Sequence, residues 1–320
     1  MIWHLSRPLP AHSPHRLSVA CAFWIILLLV VPLTGYSGAC RPVVAEKPVA
    51  QREHDFNRGL LWKIESPGVA PSYLFGTYHT SDPRITTLPC PVHEVFNRTS
   101  SYTMEVIFNG AGIVSMAKAM FFNDGKNLKH VLGDALYQET LRVVGTSETD
   151  GSSSIDNMKP WAVMMTLLNP QEGSGLFLDM ALQLAATRDG KPTYGLETMQ
   201  EQIAVFNGLS LDDQVVLLRD TVKNHQLTDN AMEELTEAYL KRDLGTLLEI
   251  SEKFRPQDAQ VHDAMMERLL LKRNISMAER MRARLIEGNA FVAVGALHLP
   301  GDNGLLNLLS RAGYHVSPIY

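Results

Sequence analysis

The chain has 320 residues, 45% of them hydrophobic and 20% charged, with a formal charge of −5 and a pI near 6.1. Length and apolar content suffice for a core of its own, and the acidic balance argues against nucleic acid as a partner. Three cysteines without a C-x-x-C pair exclude a disulfide-dense scaffold, a zinc ribbon and a dithiol redox motif.

Residues 1–39 read as a targeting segment. Arg7 and Arg16 precede an apolar run from Val19 to Val31, and Ser37-Gly38-Ala39 supplies the small residues of a signal-peptidase site. The run is shorter than the roughly 20 residues of a stable span, so the segment is either a cleaved signal peptide or an uncleaved anchor. The expected location is periplasmic or secreted, with membrane association only through this segment. Cys40 and Cys90 survive cleavage after Ala39 and could pair in an oxidising compartment. Residues 40–57 are polar and aperiodic, a linker, and the folded domain is expected over 58–320.

Leu60 to Ile64 alternates apolar and polar residues like a strand. A turn with Pro67, Gly68 and Pro71 follows, and Tyr73 to Phe75 completes a hairpin. Gly76-Thr77-Tyr78-His79 comes directly after it. Val92 to Asn97 reads as a short helix and Tyr102 to Phe108 as a strand, with Glu105 set among Met104, Val106 and Ile107. An acid there is out of place unless it is paired, coordinated or facing solvent.

Leu132 to Val144 reads as a helix and Thr146 to Asn157 as a surface loop. Lys159 to Ala186 is apolar and helical, broken at Asn169-Pro170 and Gly173-Ser174-Gly175. Tyr194-Gly195-Leu196-Glu197 is a second candidate strand end carrying an acid. Amphipathic helices are expected over Glu201–Asn207, Leu211–Lys223, Asn230–Lys241 and Leu244–Phe254. Met277, Met281 and Leu285 give the next helix one apolar face.

Ala290 to Val294 is an apolar, β-branched run, read as a strand buried on both faces. Gly295-Ala296-Leu297-His298 follows it, then a short helix over Leu305–Leu309, Gly313 as its stop, and a last strand from Tyr314 to Ile319. This is a βαβ unit, and ligands gather beyond the carboxyl ends of strands in open sheets. The expected fold class is α/β or α+β: a central mixed sheet with G-x-x-H motifs at strand ends and a large helical middle.

Two strand-end histidines and one strand carboxylate are residue types that bind a divalent metal and leave a place for water. Each histidine has an alternative, structural reading, and Glu105 has one as a buried ion-pair partner. Glu197 is either a second acid at the site or a helix-capping acid ahead of Met199 to Phe206. Arg273 either stabilises an oxyanion or clamps a substrate carboxylate, or it holds Glu105 or Glu197 in place. No H-E-x-x-H helix is present, which excludes an ordinary zincin.

The chain resembles the TraB/GumN family, which includes pheromone-shutdown and Tiki proteins. The likeness rests on Leu74 to His79, on Tyr194 to Thr198 with Gln202, on Arg273-Asn274 and above all on Gly295 to Gly301. It implies a metal-dependent hydrolase, most naturally a peptidase acting on a peptide or protein substrate. His79 and His298 would be metal ligands, and Glu105 a ligand or the base that activates water, with Mn, Co or Zn as the ion. Ile107 stands where relatives often carry Asp, which weakens a second carboxylate role there. The alternative is a regulatory protein that binds a peptide or small ligand without cleaving it.

Overall fold

The computed structural model describes residues 40–43, 56–146, 155–168, 176–253 and 255–320. The targeting segment, most of the linker, the centre of the 146–157 loop and the 169–175 break lie outside the described residues. Six strands form one sheet: β1 (Leu61–Glu65), β2 (Ser72–Thr77), β3 (Ser101–Val106), β4 (Thr193–Glu197), β5 (Ala290–Gly295) and β6 (His315–Pro318). Their spatial order is β4-β3-β5-β2-β1-β6. The pairs β4–β3, β3–β5 and β5–β2 are parallel, while β1 runs antiparallel to both β2 and β6. Four parallel strands therefore end on the same side of the sheet. The α/β expectation holds, with β5 as the central strand, its residues Ala290 to Val294 wholly buried.

The helices among the described residues are α1 (Pro83–Thr86), α2 (Cys90–Arg98), α3 (Gly110–Ala119), α4 (Leu128–Val144), α5 (Pro160–Leu168) and α6 (Leu178–Arg188). They continue with α7 (Met199–Asn207), α8 (Leu211–Leu240), α9 (Leu244–Lys253), α10 (Ala259–Met266), α11 (Lys272–Glu287) and α12 (Leu305–Arg311). A π-helical turn, Glu267–Leu271, joins α10 to α11. One apolar core surrounds the sheet, and a second packs Leu128, Leu132 and Tyr137 of α4 against Trp161 of α5 and Leu217 and Leu218 of α8. Cys40 and Cys90 form a disulfide that ties residue 40 to the start of α2.

One sequence expectation needs correction, and two placements go beyond what local pattern settles. The two helices expected over 211–223 and 230–241 are one 30-residue helix, because nothing between them is a strong breaker and Ser210 caps only its start. Helix α3 carries little sequence signal: it opens on Gly110-Ala111-Gly112, a weak helical start that Asn109 offsets by capping Gly112 N–H. The last βαβ crossover does not place its strands side by side. β6 passes β2 and β1 to pair at the sheet edge, because its half-exposed residues suit an edge strand better than the centre.

The two G-x-x-H segments are in direct contact. A Cβ on Gly76 would stand 2.8 Å from Leu299 Cδ1 and 3.1 Å from Ala296 Cα, so the turn after β5 packs onto β2 only because position 76 has no side chain. Substituting Gly76→Ala is expected to cost about 1–3 kcal/mol through overpacking. Gly110→Ala, with open space around it, should be close to neutral. Urea midpoints of the two variants measure the difference.

Candidate active site

Parallel pairing brings together the ends of four strands. Glu105 sits near the end of β3, Glu197 at the end of β4, and His79 two residues past β2. His298 closes a 3₁₀ turn, Ala296–His298, directly after β5. Helix α11 lays Arg273 and Asn274 across these ends, with Met277, Met281 and Leu285 fixing its inner face in the core. Arg280, two turns beyond Arg273, holds the helix in register by pairing with Glu201 at 2.6 Å and donating to Leu196 O.

Arg273 is the hub. Its Nη2 donates to Glu105 Oε2 at 2.5 Å and to Glu197 Oε2 at 2.7 Å, and its Nε donates to Glu197 Oε1 at 2.9 Å. Nη1 donates to Leu269 O at 3.1 Å and stands 3.2 Å from His298 Nε2. Gln202 of α7 spans both acids, at 2.7 Å from Glu197 and 3.3 Å from Glu105. All four members of this Arg–Glu–Glu–His cluster are buried. A buried pair of carboxylates is tolerated only when such donors compensate it. Glu197 does not cap α7: Thr198 and Glu201 form that capping box, so the carboxylate of Glu197 is left for Arg273.

Partners fix the tautomer of His298. A guanidinium can only donate, so Nε2 carries the lone pair, and Nδ1–H donates to Asn274 Oδ1 at 2.6 Å. Asn274 is oriented in turn by donating to Asn303 O at 2.8 Å. Glu105 accepts the Gly295 N–H at 2.6 Å, and its Oε1 stands 3.7 Å from His298 Nε2. A Cβ on Gly295 would meet that carboxylate oxygen at 3.3 Å, so the first residue of the second G-x-x-H segment makes room for the acid.

His79 lies at the rim, with 55% of its side chain exposed. Its Nδ1 is 2.9 Å from Oδ2 of Asp179, a buried acid in the first turn of α6 whose Oδ1 accepts the Thr77 hydroxyl at 2.7 Å. The ring also lies edge-on to Phe177, at 5.7 Å between centroids. The long helix α8 secures the strand end beneath: Tyr239 donates to Gly76 O at 2.8 Å and stacks on Tyr78. Glu105, Glu197, Arg273 and His298 thus form one hydrogen-bonded cluster, and His79 belongs to a neighbouring one. Asp179 escaped the sequence reading, although an acid within the apolar run of α6 is the same signal that singled out Glu105.

Charge states follow from these contacts. Burial opposes ionisation of Glu105, but His298, Arg273 and the Gly295 N–H together hold its carboxyl well below the usual range. Burial pushes His298 down to about 4, against the pull of Glu105. For His79, desolvation opposes the proton, but the charge and hydrogen bond of Asp179 outweigh it and push the ring up to about 9.

The fit of a metal ion rests on donor chemistry. Both imidazoles are tied at Nδ1, one to a carboxylate and one to an amide oxygen, the orientation that metal-binding histidines adopt. Nε2 of His298 meets the Arg273 guanidinium at 3.2 Å, and Glu105 supplies a carboxylate 3.7 Å from it. Imidazole and carboxylate are donor types that a divalent ion takes. Among the described residues, however, no three His, Cys, Asp or Glu side chains converge as a finished metal shell. The guanidinium of Arg273 holds the place between Glu105 and His298.

The two histidines give the metal-free protein opposite pH dependences. His298, depressed in the folded state, contributes stability that is complete above about pH 6.5 and is lost as pH falls towards 4. His79, raised in the folded state, contributes stability that is complete below about pH 6.5 and is lost as pH rises through 9. Denaturant unfolding across pH should show a maximum near the ordinary histidine pKa. Asp179→Asn is expected to flatten the alkaline limb and His298→Gln part of the acid limb.

A sequence model of the TraB/PrgY/gumN family matches residues 60–318, which contain every residue of the site. "Metalloprotease TIKI2" of Danio rerio is 25% identical over 326 residues, covering 85% of this chain and 62% of that protein. "Metalloprotease TIKI1" of Homo sapiens is 25% identical and covers 92% of this chain and 68% of that protein. "Uncharacterized protein YbaP" of Shigella flexneri is 25% identical over 261 residues, 77% of this chain and 90% of that one. No solved structure matches. The chain thus spans about three fifths of the length of its TIKI2 relative. With the matched region running from β1 to the end of β6, the chain belongs to the TraB/PrgY/gumN family.

Proposed function

We propose that the protein is an exported metal-dependent hydrolase that cleaves peptide bonds, with His79, His298 and Glu105 as the metal-holding set. The observation that carries this reading is the matched anchoring of the two imidazoles, each held through Nδ1, with Nε2 of His298 meeting only the Arg273 guanidinium beside a carboxylate held ionised. The names of the TIKI relatives, which call them metalloproteases, support the reaction class.

A bound divalent ion would polarise the scissile carbonyl and lower the pKa of a water molecule. The chain's own groups divide the remaining work. Glu105 accepts from Arg273, Gln202 and Gly295 N–H, which makes it a weak base and suits it to holding an ion rather than collecting a proton. Asn274 keeps the proton of His298 on Nδ1, so that Nε2 stays a lone-pair donor. Arg273 is the cation that balances Glu105 and Glu197, and once drawn away from Glu105 its Nη2 can donate to a developing oxyanion. His79, the exposed member, faces the side from which substrate arrives.

Two observations support export. The Cys40–Cys90 disulfide fits an oxidising compartment, and the N-terminal segment has the order of a signal peptide. No helix among the described residues is long and apolar enough to cross a membrane.

Purified protein loaded with Mn²⁺, Co²⁺ or Zn²⁺ and then desalted should retain close to one ion per chain and cleave members of an unstructured peptide library. His79→Ala and His298→Ala are each expected to lower retained metal, and cleavage should fall by about 100-fold or more. Peptides recovered intact with every metal, yet still bound to the protein, would replace this reading with a non-catalytic peptide-binding protein.

A further inference from the structure

Asp179 is a buried carboxylate that nothing in the sequence motifs uses. It lies 3% exposed in the first turn of α6, on the side whose other inward residues, Leu178, Leu182, Ala185 and Ala186, are apolar. A carboxylate in such a place is costly unless its oxygens are satisfied. Both oxygens are used on one target, the exit of β2: Oδ1 accepts from Thr77 at 2.7 Å, and Oδ2 meets His79 Nδ1 at 2.9 Å.

The His79 ring, open to solvent on one side, is met on the other by Asp179 and an aromatic pair. Phe177, which precedes α6, meets its edge at 5.7 Å and Phe108 at 5.3 Å. Gln183, one turn beyond Asp179, fixes the backbone of Phe108 by exchanging hydrogen bonds with it at 3.0 and 2.9 Å. One helix therefore sets the ring plane, the proton position and the loop after β3 together. Thr77 matters because a carboxylate held at one oxygen can rotate, whereas one held at both cannot.

We propose that Asp179, locked by Thr77, is the positioning residue for His79: it keeps the proton on Nδ1 and aims Nε2 into the cleft, where a metal ion or a substrate is met. The inference rests on the proposed role of His79, but its central observable does not depend on catalysis. A carboxylate behind a histidine fixes tautomer and orientation and raises the ring's strength as a ligand. A purely structural clamp would secure the loop without controlling where the proton sits.

The test uses ¹⁵N-histidine-labelled protein and Mn²⁺ as probe. In the wild type, His79 should show an Nδ1–H proton that is shifted downfield and slow to exchange with solvent. Asp179→Asn should keep a cooperative thermal transition, lose that resonance and bind Mn²⁺ about 10- to 100-fold more weakly by calorimetry. Thr77→Val retains the carboxylate without its anchor and should move both readouts the same way by less; it decides the matter if Asp179→Asn does not fold. Absence of the Nδ1–H resonance in the wild type, or its survival unchanged in both variants, would overturn the inference. If the protein cleaves no peptide but the resonance behaves as described, the positioning role stands and only the hydrolase reading falls.

Discussion

The guanidinium of Arg273, pressed between Glu105 and Glu197 within reach of His298, is the interaction on which the rest depends. Two carboxylates with no cation between them could not remain buried at the ends of neighbouring strands; the penalty would be several kcal/mol per ion. With Arg273 present the strand ends can close into one polar floor. Removing it would leave uncompensated charge and cost on the order of 3–5 kcal/mol. The same constraint explains why α11 must cross the sheet where it does, and why Arg280 and the apolar face of Met277, Met281 and Leu285 hold it there.

The site is also unbalanced by construction. Glu105, Glu197 and Asp179 face one guanidinium and two imidazoles, of which His298 is kept neutral. If an ion is held here as proposed, His79 would give up its proton and Glu105 its contact with Arg273, so the site would exchange positive partners rather than gain one. The site therefore joins a buried cluster, His298–Asn274–Arg273–Glu197–Glu105, to a neighbouring one, His79–Asp179–Thr77, exposed at the imidazole.

Much of this was legible in the sequence because the relevant signals are local. A buried β-branched run followed by Gly-x-x-His reports a strand and its exit, and an acid inside a strand reports an unusual partner. Those local signals made His79, Glu105, Glu197 and His298 visible as candidates, and parallel pairing brings their strand ends together. What was not legible depends on long-range placement. Whether Arg273 serves substrate or carboxylates is decided by how α11 crosses the sheet, and Asp179 takes its meaning only from α6 lying beside β2. The single helix over 211–240 and the edge position of β6 were obscured for the same reason: tertiary packing, not local propensity, settles them. Glu197 shows the limit well. A helix-capping acid and a buried ion-pair acid look alike in sequence, and only the Thr198–Glu201 capping box, formed without it, separates them.

The most direct test of the central claim is anomalous diffraction from crystals of the protein soaked in Mn²⁺ or Co²⁺. A peak bonded to Nε2 of His79, Nε2 of His298 and the Glu105 carboxylate is expected, with Arg273 withdrawn from Glu105 and still paired with Glu197. A fully occupied ion elsewhere, or no ion while Arg273 keeps its place between Glu105 and His298, would contradict the proposal that these strand ends form one metal-dependent hydrolytic site.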